Sequence, residues 1–408
     1  MLPNNPLNLK SSILTLLRQE PLSIASLRDA TDVSLPTLRR AVEELIDAHW
    51  VRPVGRIPRT GGRPATLYGL DDRAYLILGV HLELPGLHFA LTNPAGEIIN
   101  HQHLLCETDI RPNGVVRLIV NHVNRLKTQY AERQLLGLGI ATPGYVDPSS
   151  GAILSIGRAP QWQAFPLKAR LEADVGLPVI VENDIDCMTF AEIGDGGFND
   201  IEDMIYLGFT EGVKASFLLQ GQLYKGPFGN AGLIGHTTVV EDGRLCTCGK
   251  HGCLETVASV RAINSLFDKG IESGNWHDSD LQRIHALKDR IEKFQAILGA
   301  AEAGDPFCSE IIGDMLRGLE LAIVNLIYLL QVDQLVIGGA LSNLPDGLLA
   351  RLETELRDKL SPILSHHLII RRARRTEPHI AAVGATYRFF YSCISREECL
   401  ALYELSKT

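Results

Sequence analysis

The chain is long and apolar enough to fold into more than one domain, and it has no segment suited to a membrane. Its 408 residues are 45% hydrophobic, which predicts two or three globular domains and argues against disorder. The longest apolar stretch, 319–330, contains Glu320 and Asn325, so it is too short and too polar to cross a bilayer. The N-terminus lacks a basic segment followed by an apolar one, so no signal peptide is predicted and we expect a cytoplasmic protein.

The charges are unevenly distributed along the chain. The net charge of −9 argues at first against a nucleic-acid partner. Residues 1–73, however, contain ten Lys or Arg and eight Asp or Glu, and four arginines without an acidic residue lie within 52–63. A basic segment on an acidic body is typical of a DNA-binding domain joined to a metabolic one.

Residues 1–70 are predicted to form a winged helix-turn-helix domain. Apolar residues recur at helical spacing over 7–19, Ser23 can cap a short second helix, and Ser34 is predicted to cap a third helix over 35–48. Two extended runs follow as a basic ribbon, which would contact phosphates or the minor groove while the third helix reads the major groove. The candidate DNA-binding residues are Ser34, Thr37, Arg39, Arg40, Arg56, Arg59 and Arg63. The alternative is a small helical interaction module with solvated arginines.

From Tyr75 onward, strands and helices alternate, which predicts an α/β body of two lobes. The first lobe is expected over 74–188, completed by a C-terminal helix over 385–408, and the second over 189–384. The basic run 371–375 is interpreted as part of an edge strand rather than as a second nucleic-acid patch.

A cysteine-rich segment predicts a metal site. Cys246, Cys248 and Cys253 have the spacing C-x-C-x4-C, and His236 lies ten residues upstream. Three thiolates and one imidazole suit a structural zinc ion with tetrahedral coordination, which leaves no position open for catalysis. His251 is a competing fourth ligand, and the alternative is three reduced loop cysteines without a metal.

The segment GLIGHTTVVEDGRLCTCGKHGCLE (232–255) resembles the signature of the ROK family, whose name stands for repressors, open reading frames and sugar kinases. Further similarity occurs at 139–147, 181–187, 221–226 and 336–342, so that the resemblance covers about residues 75–388. With the N-terminal domain in front, the architecture resembles the transcriptional-repressor branch of the family. The resemblance implies an actin-like, hexokinase-like α/β fold whose two lobes close on a hexose.

The resemblance also implies sugar-binding residues. Asn183 and Asp184 stand where the family binds sugar hydroxyls, and Asp184 would be the general base of a kinase. His236 would be a zinc ligand that also faces the sugar, and Glu255 the second carboxylate on the sugar. The alternative from the residues alone is that Asn183 and Asp184 cap a helix and that Glu255 begins another one.

The phosphate-binding motifs of the family kinases are missing. Where the kinases have D-x-G-G-T, this chain has His81 in place of the Asp, Glu83 in place of a glycine, and then Pro85. The second loop, G-T-G-x-G in the kinases, reads TEGVK over 210–214, and Glu211 adds a further negative charge. Phosphoryl transfer depends on such positioning and electrostatic stabilisation, so we predict a protein that is not an enzyme and in which Asp184 is a vestigial base.

Two other departures concern the ligand. Leu233 replaces a sugar-binding Glu of the family, which suggests an altered sugar or weak binding. Lys214 replaces a glycine of the second loop. It is interpreted as a solvated lysine in preference to one that neutralises the phosphate of a sugar-phosphate ligand.

The sequence therefore predicts a sugar-responsive transcriptional regulator that represses carbohydrate-metabolism genes. Its expected partners are operator DNA, a sugar or sugar-phosphate effector, and further copies of the chain in a homodimer or tetramer, with a structural Zn²⁺ as cofactor and no membrane insertion. The alternatives are an active ROK-type sugar kinase with an added DNA-binding domain, and a regulator controlled by a protein partner.

Overall fold

The computed structural model describes residues 9–57, 64–105, 111–157, 159–194, 201–274 and 278–396. The chain divides into two compact units, one comprising residues up to 201 together with those from 377 onward, and the other residues 202–376. The sequence placed the corresponding boundaries at 188/189 and 384/385 and treated residues 1–70 as a separate domain. Among the described residues, no helix is both long and apolar enough to cross a membrane.

Unit 1 begins with three helices and a small antiparallel sheet of strand order β1-β3-β2. The sequence predicted only two strands here. The third, β1, arises because Leu22 and Ser23 pair with Tyr68 and Leu67. The elements are α1 (Leu9–Gln19), β1 (Leu22–Ser23), α2 (Ile24–Thr31), α3 (Leu35–Asp47), β2 (Val51–Ile57) and β3 (Ala65–Leu70).

The two predicted serine caps behave differently. Ser23 caps α2, because its hydroxyl accepts a hydrogen bond from the Ser26 N–H at 3.1 Å. Ser34 precedes α3, but its hydroxyl lies 2.8 Å from the Thr37 hydroxyl and accepts no backbone N–H. The predicted side-chain cap at Ser34 is therefore wrong. Pro36 occupies the first turn of α3, where its missing N–H costs no hydrogen bond.

The rest of unit 1 before residue 201 contains a five-stranded sheet of order β10-β7-β4-β5-β6. Strands β10, β7 and β4 are parallel, and β5 and β6 extend the sheet as antiparallel neighbours. The elements are β4 (Tyr75–Leu82), β5 (Gly86–Thr92), β6 (Ile98–Leu105), α4 (Pro112–Gln129), β7 (Gln134–Thr142), β8 (Tyr145–Val146), β9 (Ile153–Ser155), α5 (Leu167–Val175), β10 (Val179–Asn183) and α6 (Asp184–Gly194).

Unit 2 has a second five-stranded sheet, of order β13-β12-β11-β14-β15, and a largely helical remainder. Arg371 and Arg372 lie on its edge strand β15, as predicted, and Arg372 pairs with Asp346 at 2.7 Å. The elements are β11 (Met204–Phe209), β12 (Val213–Leu219), β13 (Gln222–Tyr224), α7 (Val260–Glu272), α8 (Ser279–His285), α9 (Arg290–Glu302), α10 (Pro306–Leu330), β14 (Gln334–Gly339), α11 (Asp346–Lys359), α12 (Pro362–His367) and β15 (Ile369–Arg372).

The chain returns to unit 1 as helix α13 (Ile380–Ile394), which packs at backbone distance against β4 and α6. A Cβ atom at Gly79 of β4 would overlap the Ala382 carbonyl oxygen, and one at Gly384 of α13 would overlap the Cys187 carbonyl oxygen. The glycines therefore let the backbones of β4, α6 and α13 approach one another more closely than any side chain would allow.

The last turns of α13 share a hydrophobic core with the N-terminal helices and sheet. Ile13 of α1, Trp50 and Phe390 are all buried in one cluster. The Trp50 ring lies 4.7 Å from Tyr75 and 6.5 Å from Phe390. The guanidinium of the buried Arg18 stacks 4.0 Å above the Tyr387 ring. Within unit 1, residues 9–70 are thus packed against the body of the unit.

We predict that Gly384→Ala destabilises the protein while Gly299→Ala does not. Both positions are helical. An added methyl at Gly384 meets the α6 backbone, whereas an added methyl at Gly299 has no atom within 4 Å beyond the backbone of its own helix. Overpacking should lower the free energy of unfolding by about 1–3 kcal/mol at Gly384. At Gly299 the better helix propensity of alanine should raise it by up to about 1 kcal/mol. Urea unfolding followed by circular dichroism measures both, and equal effects would contradict the close packing of α13.

Candidate functional site

His236 and three cysteines of unit 2 form a cluster with the donor set of a metal site. The ligand atoms of His236, Cys246, Cys248 and Cys253 all lie within 4.8 Å of one another. The Cys246 Sγ is 3.7 Å from His236 Nδ1, and the Cys248 and Cys253 Sγ atoms are 3.6 Å apart. Four soft or borderline ligands at this separation can hold one metal ion, and tetrahedral coordination would use all four.

The loop that carries the cysteines folds back on itself at two glycines. Gly249 and Gly252 have φ values of 87° and 75°, which side-chain-bearing residues rarely adopt. The Cys246 N–H donates to the Lys250 carbonyl at 2.8 Å and closes the turn. His251 lies outside the cluster, because its Nδ1 is 2.9 Å from the Gly243 carbonyl oxygen. Of the two candidate histidines, the structure brings His236 to the cysteines.

The thiols of the cluster differ in their acidity. Burial, together with the neighbouring Cys248 and Cys246 thiols, raises the pKa of Cys253 to about 12. The Lys250 N–H instead lowers the pKa of the exposed Cys248 thiol. Because only the thiolate is a metal ligand, a bound cation would have to displace the Cys253 proton.

Asn183 and Asp184 lie at the junction of β10 and α6, and both are buried. The Ile185 N–H lies 3.0 Å from Asn183 Oδ1 and 2.9 Å from Asp184 Oδ1, so both side chains cap α6. Asn183 also donates from Nδ2 to the Gly144 carbonyl at 3.2 Å. The second carboxylate oxygen of Asp184 lies 3.8 Å from His81 Nε2. The helix-capping alternative is therefore present in the structure.

The Glu255 carboxylate lies next to the 210–214 loop of unit 2. Its Oε1 is 3.0 Å from Arg261 Nη2, and its Oε2 would be 2.6 Å from a Cβ atom at Gly212. The glycine retained in this loop thus makes room for the Glu255 carboxylate. Leu233, three residues before His236, is half-buried and precedes the short 3-10 turn Ile234–His236.

The charges of the second loop have partners within unit 2. Glu211 pairs with Arg290 of α9 at 2.7 Å. Lys214 is only 8% exposed and pairs in register with Gly208 of β11, so the expectation of a solvated lysine is wrong. Sequence alternation over five residues could not reveal this burial, because it results from the neighbouring strands of the sheet.

The first degenerate loop carries a histidine cluster that sequence reasoning missed. His88 Nε2 lies 2.6 Å from Glu83 Oε2, and the His88 ring stacks 4.2 Å from that of His103. Burial works to raise the pKa of Glu83, but the hydrogen bond with His88 and the neighbouring His81 and His103 rings outweigh it and hold the pKa below its usual value. The sequence signal that could have revealed this cluster was the recurrence of histidines in the neighbouring extended runs.

On the N-terminal helices, the candidate DNA-binding side chains lie at the surface. Ser34, Thr37, Arg39 and Arg40 of the α3 region and Arg56 of β2 are all exposed. Arg40 pairs with Glu44 at 2.9 Å. Arg59 and Arg63 lie outside the described residues. Arg52, on the same ribbon as Arg56, is paired with Asp72 at 3.0 Å.

The ROK family profile matches residues 78–389, and the chain belongs to the ROK family. The xylose repressor of Caldicellulosiruptor bescii is 26% identical over 332 residues, which cover 80% of this chain and 82% of the repressor. A glucokinase of Halalkalibacterium halodurans is 32% identical over 294 residues, which cover 69% of this chain and 84% of the glucokinase.

A solved structure of a ROK family transcriptional regulator, a homolog of the Escherichia coli MLC protein, superposes with a TM-score of 0.79. The alignment covers 96% of this chain and 99% of the regulator, at 23% identity. At this level of identity the similarity shows the fold, and the predicted actin-like α/β fold of the family is confirmed.

We predict that the cysteine cluster holds one metal ion and that Cys253→Ser removes it. Cys308→Ser is the matched control, because Cys308 is a buried free cysteine on α10, outside the cluster. After dialysis, elemental analysis should find about one tightly bound ion per chain in the wild type and in Cys308→Ser, and none in Cys253→Ser. Loss of the ion should also lower the melting temperature, since the ion cross-links the loop. Equal metal content in the two variants would contradict the site.

Proposed function

We propose that the chain is a sugar-responsive, DNA-binding transcriptional regulator that acts as a repressor of carbohydrate-metabolism genes. The observation that carries the proposal is the arrangement of residues 9–70, in which an exposed helix face and a basic ribbon precede a ROK body that keeps its sugar-side residues and lacks both phosphate loops. The name of the xylose repressor and the similarity to a solved ROK regulator support it.

Residues 9–70 have the element order of a winged helix-turn-helix domain, with α3 as the reading helix and β2–β3 as the wing. The buried side of α3 carries Leu38, Val42 and Leu45, so the helix is held by its own core. The exposed side carries Thr37 and Arg39, which suit base edges, and Arg56 on β2 suits a phosphate. The proposal extends to Ser34, Arg40, Arg59 and Arg63 as predicted from the sequence.

We predict that Arg39→Ala and Arg56→Ala weaken DNA binding in different ways. Loss of a base contact by Arg39 should cost about 1–3 kcal/mol and relax sequence preference. Loss of a phosphate contact by Arg56 should weaken binding to all DNA sequences alike. It should also reduce the slope of log affinity against log salt concentration (the salt slope) by about one. Fluorescence anisotropy over a salt series, with an operator selected from random duplexes, measures both effects.

The control for these variants is Arg283→Ala, because Arg283 is a highly exposed arginine on α8 of unit 2. Its affinity and salt slope should match those of the wild type. If Arg39→Ala and Arg56→Ala also match the wild type, residues 9–70 do not bind DNA through α3 and the ribbon.

The sensor function is proposed for the ROK body. Asn183 and Asp184 of unit 1 and His236 and Glu255 of unit 2 retain the groups that bind hydroxyls, since amide and carboxylate groups pair with hydroxyls as donors and acceptors. We propose that the Cys246, Cys248, Cys253 and His236 cluster holds a structural Zn²⁺, which fixes the loop between His236 and Glu255. The effector is a sugar or a sugar phosphate, and Leu233 favours one with an apolar substituent.

Phosphoryl transfer is not part of the proposed function. A phosphate approaching the first loop would meet the Glu83 carboxylate, and the second loop keeps one of three glycines and adds the Glu211 carboxylate. Asp184 could still accept a proton from a sugar hydroxyl, but the chain lacks the loops that would hold a phosphoryl donor. Operator DNA, the effector and a second copy of the chain are the proposed partners, and a cytoplasmic location follows from the operator.

Effector binding and DNA binding are proposed to be coupled through α13. This helix packs on α6, whose first residue is Asp184, and its last turns share a core with Ile13 and Trp50. A shift of α6 on effector binding would therefore be transmitted by packed backbone to residues 9–70, which is the kind of two-state element that allosteric coupling requires.

We predict that Glu255→Gln abolishes the response to the effector while leaving effector-free DNA binding unchanged. A thermal-shift screen of sugars and sugar phosphates should yield a ligand that raises the melting temperature of the wild type and weakens its DNA binding. The variant should lose both effects, since a neutral amide binds sugar hydroxyls less strongly than a carboxylate. Glu353→Gln is the control, because Glu353 is also paired with an arginine of unit 2.

Two outcomes would overturn the proposal. ATP turnover with any hexose above about 1 s⁻¹, an ordinary enzyme rate, would make the chain a kinase with an added domain. If no sugar changes DNA binding but a protein captured from sugar-grown cells does, the chain is a regulator controlled by a protein partner.

A further inference from the structure

Three adjacent strands of unit 1 place histidines side by side on one face of the sheet. His81 of β4 pairs in register with His88 of β5, and His88 pairs in register with His103 of β6. The rings are stacked, with centroids 6.1 Å apart for the first pair and 4.2 Å for the second. Because residues in direct register project to the same face, the three imidazoles form one row across the sheet.

A carboxylate completes this row. Glu83, just after β4, brings its Oε2 to within 2.6 Å of His88 Nε2. The ligand atoms of Glu83, His88 and His103 all lie within 4.8 Å of one another, as do those of the cysteine cluster. We propose that Glu83, His88 and His103 form a second metal site, which takes a divalent transition-metal ion and is independent of the cysteine cluster.

The donor set defines the class of ion. Two imidazoles and one carboxylate suit Zn²⁺, Ni²⁺, Co²⁺ or Fe²⁺, whereas Mg²⁺ and Ca²⁺ prefer oxygen ligands throughout. Ligand atoms about 2 Å from a shared ion lie up to about 4 Å from one another. A small rotation of the exposed His103 ring is therefore sufficient to bring all three ligand atoms within reach of one ion. Three protein ligands leave at least one coordination position for water.

The buried neighbour of the cluster supplies a second, independent observation. The His81 side chain is only 5% exposed, and its Nδ1 has no hydrogen-bond partner. Buried polar atoms are normally paired, and one left unpaired costs stability. Water held at the open position of an ion on His88 would be a donor for this nitrogen, and the other ring nitrogen of His81 lies 3.8 Å from Asp184.

The hairpin between β4 and β5 is shaped around the His103 ring. A Cβ atom at Gly86 would lie 2.6 Å from His103 Nε2, so a side chain there would crowd the imidazole. The cluster thus combines Glu83 after β4, Gly86 and His88 of β5, and His103 of β6. An alternative role for the row is stacking alone, without a metal.

The experiment is a calorimetric titration of the tag-free full chain with Ni²⁺, after the metal-free chain has received a single equivalent of Zn²⁺. The three thiolates of the cysteine cluster take up this Zn²⁺ in preference to the imidazole and carboxylate set. The wild type should bind one further equivalent. His103→Ala and Glu83→Gln should each weaken this binding at least about tenfold, since loss even of a supporting contact costs a metal site about that factor. His103 and Glu83 are both substantially exposed, so neither variant should impair folding.

His101→Ala is the matched control. His101 is an exposed histidine two residues earlier on the same face of β6, but it stacks on His379 at 4.5 Å and has no place in the cluster. Its Ni²⁺ affinity should stay within about twofold of the wild type. The proposal is overturned if the zinc-loaded chain binds no further Ni²⁺, if His103→Ala binds it as tightly as the wild type, or if His101→Ala weakens it equally. None of these outcomes depends on DNA or sugar binding.

Discussion

The backbone packing of α13 is the constraint on which unit 1 depends. At Gly79 and Gly384 this helix approaches β4 and α6 so closely that a single methyl group would not fit. Further along, the same helix supplies Tyr387 and Phe390 to the core that contains Trp50. One element thus positions both the strand-to-helix junction at Asp184 and the helices at the N-terminus. Because packed interiors deform little, a displacement at one end of α13 has few ways to be absorbed before the other.

The segments 81–85 and 210–214, which differ from the phosphate motifs expected from the family resemblance, each carry a glutamate with a local partner. Glu83 pairs with His88 in unit 1, and Glu211 pairs with Arg290 in unit 2. The carboxylates are therefore stabilised locally and do more than repel a nucleotide. The residues proposed to bind sugar have structural partners as well, because the Asp184 side chain accepts the Ile185 N–H at the start of α6 and Glu255 pairs with Arg261. Such structural uses would preserve these side chains whether or not a ligand binds.

Much of the fold was predictable from periodicity, and the cysteine cluster from spacing, because both signals are local. The strand β1 was not, since two residues carry no periodic signal. The hydroxyl of Ser34 was predicted to cap α3 but bonds to Thr37, a choice between two nearby partners that the sequence does not decide. The burial of Lys214 and the meeting of His88 with Glu83 both depend on strand register. Register is set by how two strands pair, so it could not be read from the alternation within one segment.

The position of α13 along the chain has a consequence for synthesis. Residues 9–70 leave the ribosome first, yet Phe389 and Phe390, which complete the core around Trp50 and Ile13, are made more than three hundred residues later. Until then the nascent N-terminal segment exposes apolar surface, and it reaches its final packing only after the whole sensor has been translated. A truncated chain that lacks α13 would therefore contain residues 9–70 without their complete hydrophobic core. Residues 9–70 can therefore complete their packing only in a chain that has been translated as far as α13.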